Sequence, residues 1–473
     1  MVLRTPWTRR DVLRMTAAAG LGTAAAACAS EPESPTERGA RAGQEPSPVF
    51  NEPASALSGS LTILVWSHFV PSHDEWFDQF ATDWGEQVGV DVRVDHVDVT
   101  NVPTQIASEL QAGQGHDLMQ YIATLSQFEP SVLDLRDVNE EANNRHGEQL
   151  KICTDSSYNP FTEKYYAFAP GWVPDPGNFR RSLWEPVGLP DGPTTWDELL
   201  QGGSEIMSSQ NVQLGLGMSQ EIDSNMAGHA LLWSHGASIQ DENENVVLNS
   251  PETLAAVELM SNLYQGAMTD EVFAWNAASN NEGLIAGKLS YILNSISAYR
   301  SLQEVNPEVA DDTFFVPALE GPSTALAAQH VMYNYIVPQE AKNPDAAKEF
   351  LLHLSDNFAL ATYKSQLYDF PSWSSLTPDL GSWLSEDPFG SNPSDKLAFL
   401  GDVDTASQWS TSIGHPGPSS PAIGEILGTY VIPNMFASAV RGDTSPEAAV
   451  QQAHRECEKV FANWRQRGLI GGG

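Results

Sequence analysis

Residues 61–66, LTILVW, form an unbroken run of mostly apolar, β-forming side chains bounded upstream by SGS. That pattern predicts a short strand buried on both faces. Pro71, with Ser, His and Asp beside it, opens a stretch in which Trp76, Phe77, Phe80 and Trp84 recur at helical spacing, and Gly85 to Gly89 predicts its end. VDVRVDHVDV alternates and reads as a second strand, VPTQIASELQAG as the next helix, and HDLMQYI as a third strand. Strand and helix alternating in this way predict an α/β domain with a parallel sheet.

Further along, YYAFAPGWVPDPGNF is rich in aromatics, Pro and Gly, a composition suited to hinges and cleft walls. PTTWDELLQGGSEIMSS predicts a helix capped by Thr194 or Thr195, with acids in its first turn. NSPETLAAVELMSNLYQ predicts an amphipathic helix with Ser250 as cap and Pro251 in its first turn. EGLIAGKLSYILN reads as helix, Gly turn and strand. NPDAAKEFLLHLS and TSPEAAVQQAHRECEKVFANW each start a helix at a proline. The chain carries no internal repeat.

The first residues differ in character. Arg4, Arg9, Arg10 and Arg14 precede an uncharged run from Met15 to Ala27, the layout of an export signal. The run is shorter than the ~20 apolar residues of a membrane-spanning helix. TRRDVLR resembles the twin-arginine motif, with Val12 where Phe is usual and Arg14 where Lys is common. AAAAC resembles a lipobox, with Ala25 at the usual Leu position; the resemblance implies that Cys28 is acylated as the first residue of the mature chain. Residues 1–27 are thus expected to be a signal peptide. Residues 28–58, rich in Pro, Ser, Glu, Ala and Gly, are expected to be a disordered tether.

More than 400 residues remain, which predicts two domains. The formal net charge of -37 excludes a nucleic-acid partner, because phosphates would be repelled. The acids are scattered and read as a solubilising surface. Besides Cys28 there are Cys153 and Cys457; an exported compartment permits their pairing, and two separate buried thiols are an equal alternative. No Gly-x-Ser-x-Gly elbow and no His-Glu-x-x-His helix is present, and GLGMSQ lacks the third glycine of a dinucleotide loop. His68 and His73 in HFVPSH read as capping or surface positions rather than ligands. No catalytic residue, metal or cofactor is expected.

The order of segments resembles the family 1 extracellular solute-binding proteins, receptors of bacterial ABC importers, from Ser60 to about Arg467. LTILVW with FDQFATDWGEQVGVDVRV is similar to that family's first strand, helix and second strand. IASELQAGQGHDLMQY resembles its next segment, with His116 for the usual Pro. VGLPDGPTTWDELL resembles its following turn and helix, and WSHGASIQDENENVVLNSPETLAAVELMSNL the segment after it. EGLIAGKLSYILNS matches with Leu284 for Phe and Tyr291 for Met. FFVPALEGPSTA and YIVPQEAKNPDAAKEFLLHL match the later hinge strand and helix. PGNFRRSLWEPVGL stands where the family usually has a Tyr-Asn-Lys segment. The resemblance implies a two-lobed periplasmic-binding-protein-like (type II) α/β fold with a hinge and an interlobe cleft. Lobe one is expected at 59–169 and 297–353, lobe two at 170–296 and 354–468, and a tail at 469–473. It further implies a monomeric extracytoplasmic lipoprotein, held to the membrane only through Cys28, that captures a sugar or oligosaccharide and delivers it to permease subunits.

Ligands of open α/β sheets sit beyond the carboxyl ends of the strands. LTILVW ends at Trp66, Ser67 and His68, and SYILN at Asn294 and Ser295, so these residues are expected to face the cleft. Asp117 starts the third strand, and the resemblance places it near the cleft too. Aromatic rings suit sugar faces, and Asp, Asn and indole N–H suit hydroxyls. Of the 13 tryptophans, Trp172, Trp233, Trp275, Trp373 and Trp409 fall in predicted loops and are candidates; Trp76, Trp84 and Trp464 fall in predicted helices and are expected to pack. A receptor for a polyamine or other cationic solute is an alternative, since WSHFVP is similar to the opening of polyamine receptors. An exported hydrolase is a further one.

Overall fold

The computed structural model describes residues 44–472. The predicted signal peptide, the lipobox with Cys28 and residues 28–43 lie outside the described residues. Among the described residues fourteen strands run in chain order: β1 (Ser60–Trp66), β2 (Asp91–Val97), β3 (Leu118–Tyr121), β4 (Tyr158–Asn159), β5 (Lys164–Tyr165), β6 (Gly171–Pro174), β7 (Gly177–Arg180), β8 (Gln213–Gly215), β9 (Leu289–Leu293), β10 (Thr313–Val316), β11 (Ala327–Met332), β12 (Asn334–Ile336), β13 (Phe370–Pro371) and β14 (Ser410–Thr411).

β1 carries the run read as a buried strand, and Leu61, Ile63, Leu64, Val65 and Trp66 are all buried. It pairs in parallel with β2 and β3, and β12 closes the sheet antiparallel to β3. The helix Pro71–Val88 packs Phe77, Phe80 and Trp84 inward and stops at Gly89, whose φ of 78° only glycine adopts at no steric cost. Gly85 lies inside this helix rather than at its end; a Cβ there would sit 2.5 Å from the Val90 carbonyl. This sheet and its helices make lobe one.

Lobe two is built on the order β10-β7-β9-β8. Its helices start as predicted. The Thr195 hydroxyl accepts from the Glu198 N–H at 3.0 Å, and Ser250 from the Thr253 N–H at 3.1 Å. The third sheet, β13-β6-β11-β14, lies where the chain crosses between lobes. β6 leads through Asp175 and Pro176 into β7 of lobe two, and β11 leads into β12 of lobe one.

These memberships correct the expected boundaries. β10 pairs with β7, so residues 313–316 belong to lobe two, not lobe one. Helix Phe358–Lys364 packs on helix Pro71–Val88, so this stretch belongs to lobe one, not lobe two. The exchange is set by long-range pairing, which the local sequence does not encode. The expected disorder of residues 28–58 also does not extend over 44–58. The Val49 N–H donates to Asn357 Oδ1 at 2.7 Å, the Asn357 amide returns a bond to the Val49 carbonyl at 2.8 Å, and the Ala54 N–H donates to Glu349 at 3.1 Å. At the other end Ile470 is buried and the Gly471 N–H donates to Glu244 at 2.6 Å, so the tail is packed down. Cys153 and Cys457 are buried free thiols, and burial pushes both up to about 12. Among the described residues no single helix is long and apolar enough to cross a membrane.

Candidate solute-binding cleft

The carboxyl end of β1 delivers aromatic side chains to the lobe boundary. The Trp66 ring stacks on His68 (centroids 4.9 Å apart) and touches Phe69 (4.9 Å). Phe69 lies 6.4 Å from the His330 ring on β11. His330 Nδ1 is 3.1 Å from Asp175 Oδ1 at the β6–β7 corner. A lobe-one strand end thus meets the crossing strands.

Lobe two contributes from the start of helix Ile222–Ser234. Glu221 caps it, its carboxylate accepting from the Asp223 and Ser224 N–H groups at 2.6 Å each. Asp223, in the first turn, accepts from Asn280 at 2.8 Å and from Asn294 at 3.4 Å; Asn294 also donates to Asn281 at 2.7 Å. A carboxylate here sits at the positive end of a helix.

Electrostatics tie the two sides together. Burial raises the Asp223 carboxyl and Asp175 adds to this, while His330 opposes it. Burial and Asp223 likewise raise Glu221. Burial alone would lower His330, but Asp175 and Asp223 more than offset it and hold the imidazole above its ordinary value. The Tyr368 phenol is pushed up by burial and by Asp369, Asp223 and Asp175. Across the boundary, burial and the neighbouring Tyr430 of lobe two raise Tyr121 at the end of β3, and burial and Glu221 raise Tyr430.

Several of these buried groups keep hydrogen-bonding capacity after all protein partners are counted. Asp175 Oδ2, Asn225 Oδ1, both amide atoms of Gln329, the Tyr291 and Tyr368 hydroxyls and the Trp172 indole N–H have no protein partner. Buried polar groups are almost always paired, so these atoms are candidates to meet a polar molecule.

Residues 71–360, more than half of the chain, match the bacterial extracellular solute-binding protein family. The chain belongs to that family. A binding protein of Brucella abortus (strain 2308) is 23% identical over 175 residues, which is 37% of this chain and 42% of that protein. The chain therefore spans about two fifths of the length of the curated relatives it matches. Among solved structures, a sugar transporter from Arthrobacter chlorophenolicus A6 with bound laminaribiose superposes with a TM-score of 0.70 at 15% identity, over 85% of this chain and 99% of the other. Maltose-bound MalE3 of T. maritima does so with a TM-score of 0.67 at 18% identity, over 85% of this chain and all 100% of the other. The GacH receptor of Streptomyces glaucescens GLA.O, solved unliganded and in complex with acarbose, gives 0.67 at 17% identity, over 86% and 99%. These are two-lobed folds, as expected for this solute-binding protein.

Against that fold the sequence candidates fall into two groups. Trp66 lies at the boundary, Ser67 is exposed there, Asn294 is buried against Asp223, and Ser295 after it is buried too. Trp275 is half-buried near Gly217, and its carbonyl accepts from Ser219 at 2.6 Å. The others are engaged elsewhere or are not in loops. Asp117 accepts from the Thr62 N–H and hydroxyl at 3.0 and 2.8 Å and from the Lys342 and Asn343 N–H groups at 2.6 and 3.1 Å. It sits at the amino ends of β1 and β3, opposite the cleft, because a residue that starts a parallel strand lies away from the carboxyl ends. Trp172 is a fully buried residue of β6 rather than of a loop, and its indole N–H is one of the unpartnered groups named above. Trp233 lies in helix Ile222–Ser234 and meets His415 edge-on at 5.7 Å. Trp373 donates to Asn143 at 2.9 Å inside lobe one. Trp409 is half-buried, and its carbonyl accepts from the Ala327 N–H at 2.9 Å. His68 and His73 are buried rather than at the surface; His68 Nδ1 accepts the Val70 N–H ahead of helix Pro71–Val88 at 2.9 Å, and both rings turn inward toward Asp369.

The sequence reading missed Phe69, Tyr121, Asp175, Asp223, His330 and Tyr430. Two carried a usable signal. Asp175 sits in a Pro-Asp-Pro corner, and Asp223 sits in the first turn of a helix whose cap, Glu221, is itself acidic.

Proposed function

We propose that this solute-binding protein captures a sugar or oligosaccharide between its lobes and delivers it to the permease of an ABC importer. The observation that carries the reading is the convergence, at one lobe boundary, of aromatic faces (Trp66, Phe69) with buried acids, amides and hydroxyls that retain unused hydrogen-bonding capacity. That is the surface a sugar needs: rings for its C–H faces, fixed polar groups for its hydroxyls. The sugars bound by the structural neighbours support the same class. Capture would proceed by hinge bending at β6, β11 and β13, with contacts available only in the closed form driving closure. Export by a twin-arginine signal and anchoring through Cys28 belong to the same proposal.

One observation favours a second reading. Two buried carboxyl groups, Asp175 and Asp223, face a single imidazole, His330, at this boundary, which suits a cationic solute such as a polyamine. A thermal-shift panel of neutral mono- and oligosaccharides against diamines separates the two. Stabilisation follows RT ln(1 + [L]/Kd), so a saturable, salt-insensitive shift with a sugar is expected. A salt-sensitive shift with diamines, and none with sugars, would reverse the assignment.

A further inference from the structure

Away from the acids of the cleft, three buried side chains from distant parts of lobe one and the crossing sheet converge. His68 lies in the loop after β1, His73 in the first turn of helix Pro71–Val88, and Asp369 just before β13. His68 Nε2 is 3.4 Å from Asp369 Oδ1, and His73 Nε2 is 3.6 Å from Asp369 Oδ2. The two imidazoles stack, with centroids 4.2 Å apart. One donor atom from each of the three residues lies within 4.8 Å of the others. Bonds of about 2.0–2.1 Å to a tetrahedral ion would place neighbouring donors about 3.3 Å apart. The nitrogen-to-oxygen separations here are close to that.

The remaining atoms are arranged as an outer shell. The Val70 backbone holds the Nδ1 edge of His68, its N–H at 2.9 Å and its carbonyl at 3.1 Å, so that Nε2, 2.8 Å from the Tyr333 hydroxyl, faces the cluster. His73 Nδ1 faces the Asp74 carboxylate at 3.9 Å. Metal-bound histidines usually present their other nitrogen to a carbonyl or a carboxylate in this way. Two further observations point to an occupant. Asp369 is fully buried, yet its Oδ2 has no hydrogen-bond partner, and neither has the buried Gln120 Nε2. A void of about 10 Å³ bounded by His68, His73, Gln120 and Tyr333 adjoins them, the scale of a single water or ion.

We propose that His68, His73 and Asp369 form a binding site for a divalent transition-metal ion of the Zn²⁺ class. Two imidazoles and a carboxylate suit that class, and a water or the Tyr333 hydroxyl completes four-coordination. The ion would join the loop that carries Trp66 into the cleft to the crossing strand β13, fixing one wall of the cleft relative to the hinge.

The test uses the full-length protein, stripped with a chelator and titrated with ZnCl2 by calorimetry and thermal shift, with Co²⁺ as an optical probe. One equivalent of Zn²⁺ is expected to bind and raise the melting temperature, and Co²⁺ is expected to give the intense visible d–d absorption of a four-coordinate site. His73→Gln is expected to abolish both, with an unchanged circular dichroism spectrum. Should that variant not fold, His68→Gln serves, since its amide can still reach the Val70 backbone. Absence of any Zn²⁺ binding by the wild-type chain, or equal affinity in wild type and a folded variant, overturns the assignment.

Discussion

Asp117→Ala separates a structural aspartate from a binding one. Its carboxylate accepts three backbone N–H groups, from Thr62, Lys342 and Asn343, and the Thr62 hydroxyl. It thereby ties the amino ends of β1 and β3 to the turn before helix Pro344–Asp356. Hydrogen bonds to a charged group contribute about 1.5–3 kcal/mol each. Counting all three backbone bonds in full would give roughly 5–9 kcal/mol by that measure. Lys342 is exposed and Asn343 half-buried, so water replaces the carboxylate there. The net loss should be about 3 kcal/mol, dominated by Thr62. At about 2–4 °C per kcal/mol this is a fall of roughly 6–12 °C in the lobe-one transition. The assay is differential scanning calorimetry, with solute affinity measured by calorimetric titration on the same preparation. Affinity should stay within about twofold, an energy change of under ~0.5 kcal/mol. An unchanged melting temperature with a tenfold or greater loss of affinity would refute the placement of Asp117 away from the cleft.

Two other outcomes follow from burial and from the leader. Burial lowers His229 and His353 to about 4 from 6.5, so each folded imidazole prefers to be neutral. The unfolded chain then binds more protons between those values, and stability is complete above pH 6.5 and falls as the pH drops toward 4. At 1.36 kcal/mol per unit the loss is roughly 3 kcal/mol for His353, which stacks on Phe80 at 4.7 Å. Urea unfolding at pH 7 and pH 4.5 should show His353→Gln with a shallower acid loss than wild type; parallel losses would contradict this. Cys28→Ala should move the protein from the membrane fraction to the soluble exported fraction, and a variant that stays with the membrane would exclude the lipid anchor.

Local patterns in the chain foretold local structure. The β1 run, the Pro-started helices and the Thr195 and Ser250 caps all rest on side chains within four residues of what they stabilise. What eluded the sequence depends on strands that meet across long separations. β6 is four residues long in a Pro- and Gly-rich stretch, so Trp172 reads as a loop residue; Trp373 does lie in a loop, just after β13, but is packed inside lobe one. Their burial follows from β11 and from lobe one, which no local window contains. His68 and His73 stood out as a pair, but the carboxylate that gives the pair meaning is Asp369, some three hundred positions on. Asp117 was placed near the cleft by the resemblance alone; as the residue that starts the third strand it lies at the amino end, away from the carboxyl ends.

The same long-range pairing explains how a two-lobed receptor can couple capture to shape. The groups without protein partners at the lobe boundary come from different bodies: Asp175 and Gln329 from the crossing strands, Asn225 and Tyr291 from lobe two. Burying such a group unpaired costs about 1–3 kcal/mol, and several are buried together here. On the proposed function, a solute whose hydroxyls satisfy these atoms removes that penalty in the closed form. A ligand shifts an equilibrium only by its differential affinity for the two states. Here that difference resides in the partners the closed cleft otherwise lacks, so solutes matched in size but stripped of hydroxyls should bind the open form without closing it.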